Sequence, residues 1–136
     1  MQQLIKKSQL RRGSTFTKLL LGLYTLFLFV VTLLPSDIVK AEERDWLPEI
    51  FLKNGDKVVH FTLFFIFTYL LYQSAMVKSY VGLVLLPFFV GILIELLQYF
   101  THQGRSFDLL DILANTIGIL IMVLFLFFIK KRHFFH

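Results

Sequence analysis

Four long apolar stretches, Lys18 to Leu34, Val58 to about Ala75, Tyr80 to Phe100 and Leu109 to Ile129, dominate this 136-residue chain and constrain its fold more than any motif does. A helix needs about 20 apolar residues to cross about 30 Å of hydrocarbon. The third and fourth stretches reach that length directly, and the first two reach it once their flanks are counted. With 57% of its residues hydrophobic and 17% aromatic, the chain carries more apolar surface than a water-soluble core of this size could hide. The pattern predicts an all-α integral membrane protein, a single domain over 1–136. Its four transmembrane helices are expected at about 18–34, 57–75, 80–100 and 108–129, with an outer loop at 35–56.

Proline and charge mark the limits of the spans. Pro35-Ser36-Asp37 stops the first, Asn54-Gly55-Asp56 precedes the second, Lys78 parts the second from the third, and Lys130-Lys131-Arg132 closes the fourth. Pro87 lies inside the third, where proline is tolerated in a membrane and is expected to bend the helix. A cleaved signal peptide is a competing account of the first stretch, since Val39-Lys40-Ala41 follows it. Against this, the apolar run exceeds the usual length of roughly 7 to 15 residues, and the cleavage region would carry Asp37 and Lys40. A retained first helix fits better.

Orientation follows from lysine and arginine, which stay on the cytoplasmic side of short loops. With four crossings, both termini and the hinge at Lys78 share one side. That side holds nine of the 14 cations (Lys6, Lys7, Arg11, Arg12, Lys18, Lys78, Lys130, Lys131 and Arg132) and no acid, while the other holds five cations and all nine acids. Both ends are therefore expected in the cytoplasm. The net charge of +5 is then a product of topology and calls for no nucleic acid. With no cysteine in the chain, disulfides, thiolate metal sites and cysteine catalysis are excluded. The polar segment from Pro35 to Asp56 reads as a solvated loop or short helix with Trp46 at the interface.

The chemically informative residues lie at the outer helix ends. Asp56 and His60 are four apart, with Lys57 beside them; Glu95 and Gln98 are three apart, with His102 extending the row; Asp108, Asp111 and Asn115 make a stripe at i, i+3 and i+7. Three helices thus offer one polar face each at one depth, with Glu95 and Asn115 about 8 and 10 Å inside their helix ends. A carboxylate at such a depth must turn inward and be paired or protonated. Arg105 is the strongest expected partner, because a guanidinium engages carboxylate or phosphate bidentately.

Plain structural roles compete with functional ones. Asp56 and Asp108 stand where helices are expected to begin and could cap them. Lys57 could snorkel, and His60 and Asn115 could be interhelical glue. His102, His133 and His136 read as solvated, and Ala114 and Gly118 as a pair of small residues allowing close helix approach.

Three blocks in order, Asp56-Lys57-Val58-Val59-His60-Phe61, Glu95-Leu96-Leu97-Gln98, and Gly104-Arg105-Ser106-Phe107-Asp108-Leu109-Leu110-Asp111-Ile112-Leu113-Ala114-Asn115-Thr116-Ile117-Gly118, make the chain resemble the VanZ-like family over roughly Leu33 to Met122. It departs from the family at His102-Gln103-Gly104, where proline-glycine is frequent, and at Met122. Neither departure touches a polar position.

The resemblance implies a bacterial plasma membrane protein of the cell envelope, connected with resistance to teicoplanin-type glycopeptides. It supplies no reaction. One reading is a noncatalytic outer-leaflet pocket, built from Asp56, Lys57, His60, Glu95, Gln98, Arg105, Asp108, Asp111 and Asn115. That pocket would bind membrane lipid, a lipid-linked cell-wall precursor or a glycopeptide. The alternative is a membrane-embedded hydrolase or transferase acting on a lipid-linked substrate, with Glu95 or Asp111 as general base and His60 as acid partner or metal ligand. No cofactor is predicted; a divalent cation, if held by Asp108, Asp111, Asn115 and Glu95, would be magnesium or calcium. No nucleophile motif, phosphate loop or HExxH pattern occurs. Ion transport ranks last, because the inner halves of the helices are apolar.

Overall fold

A computed structural model describes residues 12–34, 49–101 and 107–132. Among these residues there are four α-helices and no strand: α1 Thr15–Thr32, α2 Glu49–Ser74, α3 Tyr80–Phe100 and α4 Leu109–Arg132. Three of them, α1, α3 and the Leu109–Lys130 part of α4, are long and apolar enough to cross a membrane.

Local chemistry explains the boundaries. The Ser14 hydroxyl accepts the Thr17 N–H at 3.2 Å, so α1 starts three residues before the expected 18. The Ser79 hydroxyl does the same for Gly82 at 3.0 Å and starts α3. The largest correction concerns α2, which begins at Glu49 rather than 57 and runs through Asn54-Gly55-Asp56, shortening the expected loop of 35–56. A single glycine costs a helix only about 1 kcal/mol, and the preceding Ile50-Phe51-Leu52-Lys53 are competent helix formers. Asp56 consequently lies inside a helix and caps nothing. Pro87 is buried within α3, which continues through it.

Contacts at the helix ends define an up-down-up-down arrangement. Gly13 adopts φ 80°, and its N–H donates to the Gln73 carbonyl at 2.7 Å. An added Cβ there would meet Ala75 Cβ at 3.2 Å, so glycine meets both the backbone demand and the closeness. Arg12 stacks on the Tyr72 ring at 3.9 Å and donates from Nε to the Tyr72 carbonyl at 2.9 Å. The start of α1 thus rests on the end of α2. Tyr80, at the start of α3, meets Phe127 near the end of α4 at 5.9 Å.

Helix α2 is the centre of the bundle and packs against all three others. The core runs through Leu21 and Leu28 of α1, Leu63, Phe64, Phe67 and Leu71 of α2, Leu83 and Ile94 of α3, and Ile119 of α4. Helix α4 comes close to α2 at Gly118, where an added Cβ would collide with the Phe61 carbonyl. Tyr24 of α1 donates its hydroxyl to the Leu63 carbonyl at 2.9 Å. Outward faces are as apolar as the interior: Phe16, Leu19, Leu23 and Leu26 on α1, Phe89 on α3, and Leu113, Leu124 and Phe128 on α4 are all exposed. Surface of this kind suits lipid, where tails are as apolar as leucine and helices associate through close packing and hydrogen bonds.

Candidate functional site

The end of α1, the first part of α2, the end of α3 and the start of α4 meet at one end of the bundle, and the buried polar side chains of the outer stripes lie there. At its rim, Lys57 Nζ stands 2.8 Å from Asp56 Oδ2, 2.7 Å from Asp108 Oδ2 and 2.7 Å from Asp111 Oδ1. The contacts to Asp56 and Asp108 are hydrogen bonds, whereas that to Asp111 is an ion pair without hydrogen-bond alignment. One ammonium therefore ties α2 to α4 through two carboxylates of the same stripe.

Asp108 has two roles. Its Oδ1 accepts the Leu110 N–H at 2.8 Å and caps α4, while its Oδ2 takes Lys57. The hydrogen bond from Lys57, seconded by that from Leu110, holds its carboxyl below the ordinary value of 3.8.

Below the rim the groups are buried. His60 is 3% exposed, Glu95 0%, Asp111 9% and Asn115 2%. Such burial of four polar groups among apolar helices demands partners. His60 Nδ1 lies 3.1 Å from Asn115 Oδ1, joining α2 to α4, and His60 Nε2 lies 3.7 Å from Asp111 Oδ2. Glu95 Oε2 accepts the Asp108 N–H at 3.2 Å, which brings α3 to the first turn of α4. Three buried polar atoms, Glu95 Oε1, Asp111 Oδ1 and Asn115 Nδ2, have no hydrogen bond. Gly91 of α3 makes room for Asn115, whose Nδ2 would stand 3.1 Å from a Cβ placed there.

Not every residue of the expected set converges. Asp56 is exposed, so the inward face of α2 is carried by Lys57 and His60. Gln98 turns toward α1 and donates from Nε2 to the Thr32 carbonyl at 2.6 Å. Arg105, His102, His133, His136 and Trp46 lie outside the described residues, and the described partner of Glu95 is the Asp108 backbone.

Thr32 is the residue the sequence left unnoticed. Its signal was indirect: a carbonyl in the last helical turn before Pro35 lacks an intrahelical donor, and a polar side chain from a neighbouring helix can supply one.

The family model described as VanZ/LLP1 matches residues 8–130. The chain belongs to the VanZ/LLP1 family. No curated protein and no solved structure matches it. The VanZ/LLP1 match extends beyond the three polar blocks to α1 and to the end of α4, the two elements that contribute least to the cluster. In this VanZ/LLP1 membrane protein, the polar residues that meet at this end, Lys57, His60, Glu95, Asp108, Asp111 and Asn115, come from the described parts of the blocks that carried the resemblance.

The arrangement is net acidic. Among the described residues it sets four carboxylates against one ammonium and one imidazole. Chemically it can bind a cation inside, offer an ammonium at the rim, or hold a proton between buried oxygens.

Proposed function

We propose that this VanZ/LLP1 protein crosses the bacterial plasma membrane four times, with α2 as the fourth crossing. Both termini and the turn at 75–79 then lie in the cytoplasm, and the polar end lies in the outer leaflet. The charge sorting of the sequence supports this orientation, and the helix-end contacts agree with it: Gly13 and the end of α2 share one end of the bundle, as do Tyr80 and Lys130. In this frame the site takes the phosphate head group of a membrane lipid or of a lipid-linked cell-wall precursor. It thereby acts on the cell envelope and contributes to glycopeptide resistance.

The observation that carries this reading is Lys57. An ammonium held at 2.7 to 2.8 Å by carboxylates from two helices is fixed in place, yet its side chain remains 22% exposed. A fixed rim cation above buried polar groups suits a ligand arriving from the lipid head-group layer.

A deletion strain tests the reading, scored for glycopeptide sensitivity and for lipid-linked intermediates. Wild-type protein should reverse the changes and Asp111→Asn should not, at equal membrane levels. Unchanged sensitivity and intermediates on deletion, or full rescue by Asp111→Asn, would count against it.

A further inference from the structure

The buried tier of the site has a charge imbalance that the rim does not share. At the rim, Lys57 faces Asp56 and Asp108, while further in Glu95 and Asp111 bring two carboxylates together with His60. The second acidic grouping, Asp56, Asp108 and Asp111, already surrounds the Lys57 ammonium and needs no further cation. The inner grouping is different. Its three residues come from α2, α3 and α4, and each presents a ligand atom within 4.8 Å of the others.

The orientation of each side chain is set from outside the group. Asn115 Oδ1 is an acceptor, so His60 Nδ1 carries the proton, and in the neutral ring Nε2 carries the lone pair. That nitrogen lies 3.7 Å from Asp111 Oδ2. Two ligand atoms each about 2.1 Å from one tetrahedral ion stand about 3.4 Å apart, so the separation needs little contraction. Lys57 occupies Asp111 Oδ1 and leaves Oδ2 turned to the imidazole. Glu95 provides the independent sign of a ligand. It is wholly buried, its Oε2 is engaged by the Asp108 N–H, and its Oε1 has no hydrogen bond.

We infer that His60, Glu95 and Asp111 form a divalent metal site. One imidazole nitrogen with two carboxylates suits zinc or manganese better than magnesium or calcium, which prefer all-oxygen sets. The sequence alone had suggested an oxygen set that included Asp108 and Asn115; here Asp108 is committed to Lys57 and to the cap, and Asn115 to orienting His60. Two carboxylates match the charge of a dication. The inference rests on the head-group reading and deepens it: a dication would cancel the two inner carboxylates, which otherwise repel phosphate, and would offer it an open coordination position.

The test uses the full chain, stripped with chelator, in nanodiscs of phosphatidylcholine, with zinc or cobalt as the probe. Expected are about one metal ion retained per chain, a rise in the unfolding temperature on adding zinc, and visible cobalt bands showing nitrogen coordination. Glu95→Gln and Asp111→Asn should weaken retention by about tenfold or more, and Asp56→Asn should not. Each variant is scored against its own chelated state, so a general loss of stability does not mimic loss of the site. No retention by the wild type, or an equal loss in Asp56→Asn, would overturn the inference. Binding of a short-chain phosphatidylglycerol by the same samples separates the two readings. Lipid bound without metal overturns the metal site alone, and metal bound without lipid overturns the head-group reading alone.

Discussion

His60 Nδ1 and Asn115 Oδ1 stand 3.1 Å apart across the interface of α2 and α4, and this bond both joins the helices and orients the imidazole. Removing either side chain leaves a polar group in an apolar interior, at a cost of about 1 to 3 kcal/mol. The two losses should not add. A double-mutant cycle of His60→Ala and Asn115→Ala, read by thermal unfolding in detergent, should show a coupling of about 0.6 kcal/mol and at most about 1.7 kcal/mol, the average and the maximum for interhelical hydrogen bonds measured in a membrane protein. Strict additivity would mean that the bond does not join the helices.

The Gly118 contact makes a sharper stability prediction. A side chain there meets the Phe61 carbonyl, which is backbone and cannot rotate away. Gly118→Val should cost about 1 to 3 kcal/mol or more. Gly22 is a fitting control, since an added Cβ meets nothing within 4 Å. Gly22→Ala should leave the unfolding temperature unchanged or slightly raised, by helix propensity. Equal effects of the two substitutions would refute the close approach of α2 and α4.

Topology can be read chemically, because the chain contains no cysteine and single reporters need no background removed. Phe107 and Lys78 are both exposed, at opposite ends of the bundle. An impermeant maleimide should label Phe107→Cys in intact cells, and should label Lys78→Cys only after permeabilisation. The reverse pattern would invert the orientation.

Acid should loosen the rim in a defined direction. The Asp108 carboxyl is held below 3.8 by Lys57. A depressed folded-state value means that its stabilisation is complete above the ordinary value and is lost as pH falls through the lower, folded one. The stability difference between wild type and Lys57→Met should therefore shrink as pH falls below about 4. A difference that stays constant to pH 2 would show that the ion pair contributes nothing.

Much of this was legible in the chain itself. Apolar runs bounded by Lys78 and Pro35 locate α1, α3 and most of α4, because length and polarity are local properties. The stripe of Asp108, Asp111 and Asn115 follows from helical spacing alone; on α2 the spacing paired Asp56 with His60, whereas Lys57 shares the inward face. What spacing leaves open is which stripes face each other. Gln98 shares a face with Glu95 yet bonds to the Thr32 carbonyl on α1, and Asp56 shares a face with His60 yet stays at the surface. Both outcomes depend on the rotation of whole helices, set by contacts such as Gly118 on Phe61 and Gly91 beside Asn115. The early start of α2 was hidden for another reason: Asn54-Gly55 has turn chemistry, and only its context keeps it helical.

If the polar end takes a phosphate head group at Lys57, the purified chain should retain polyprenyl phosphate and short-chain phosphatidylglycerol in native mass spectra. Lys57→Met is expected to retain about tenfold less than wild type, a change of about 1.4 kcal/mol. Lys78→Met, which removes a cation at the opposite end, is expected to retain as much as wild type. Retention by Lys57→Met at the wild-type level, or an equal loss in Lys78→Met, would contradict the account.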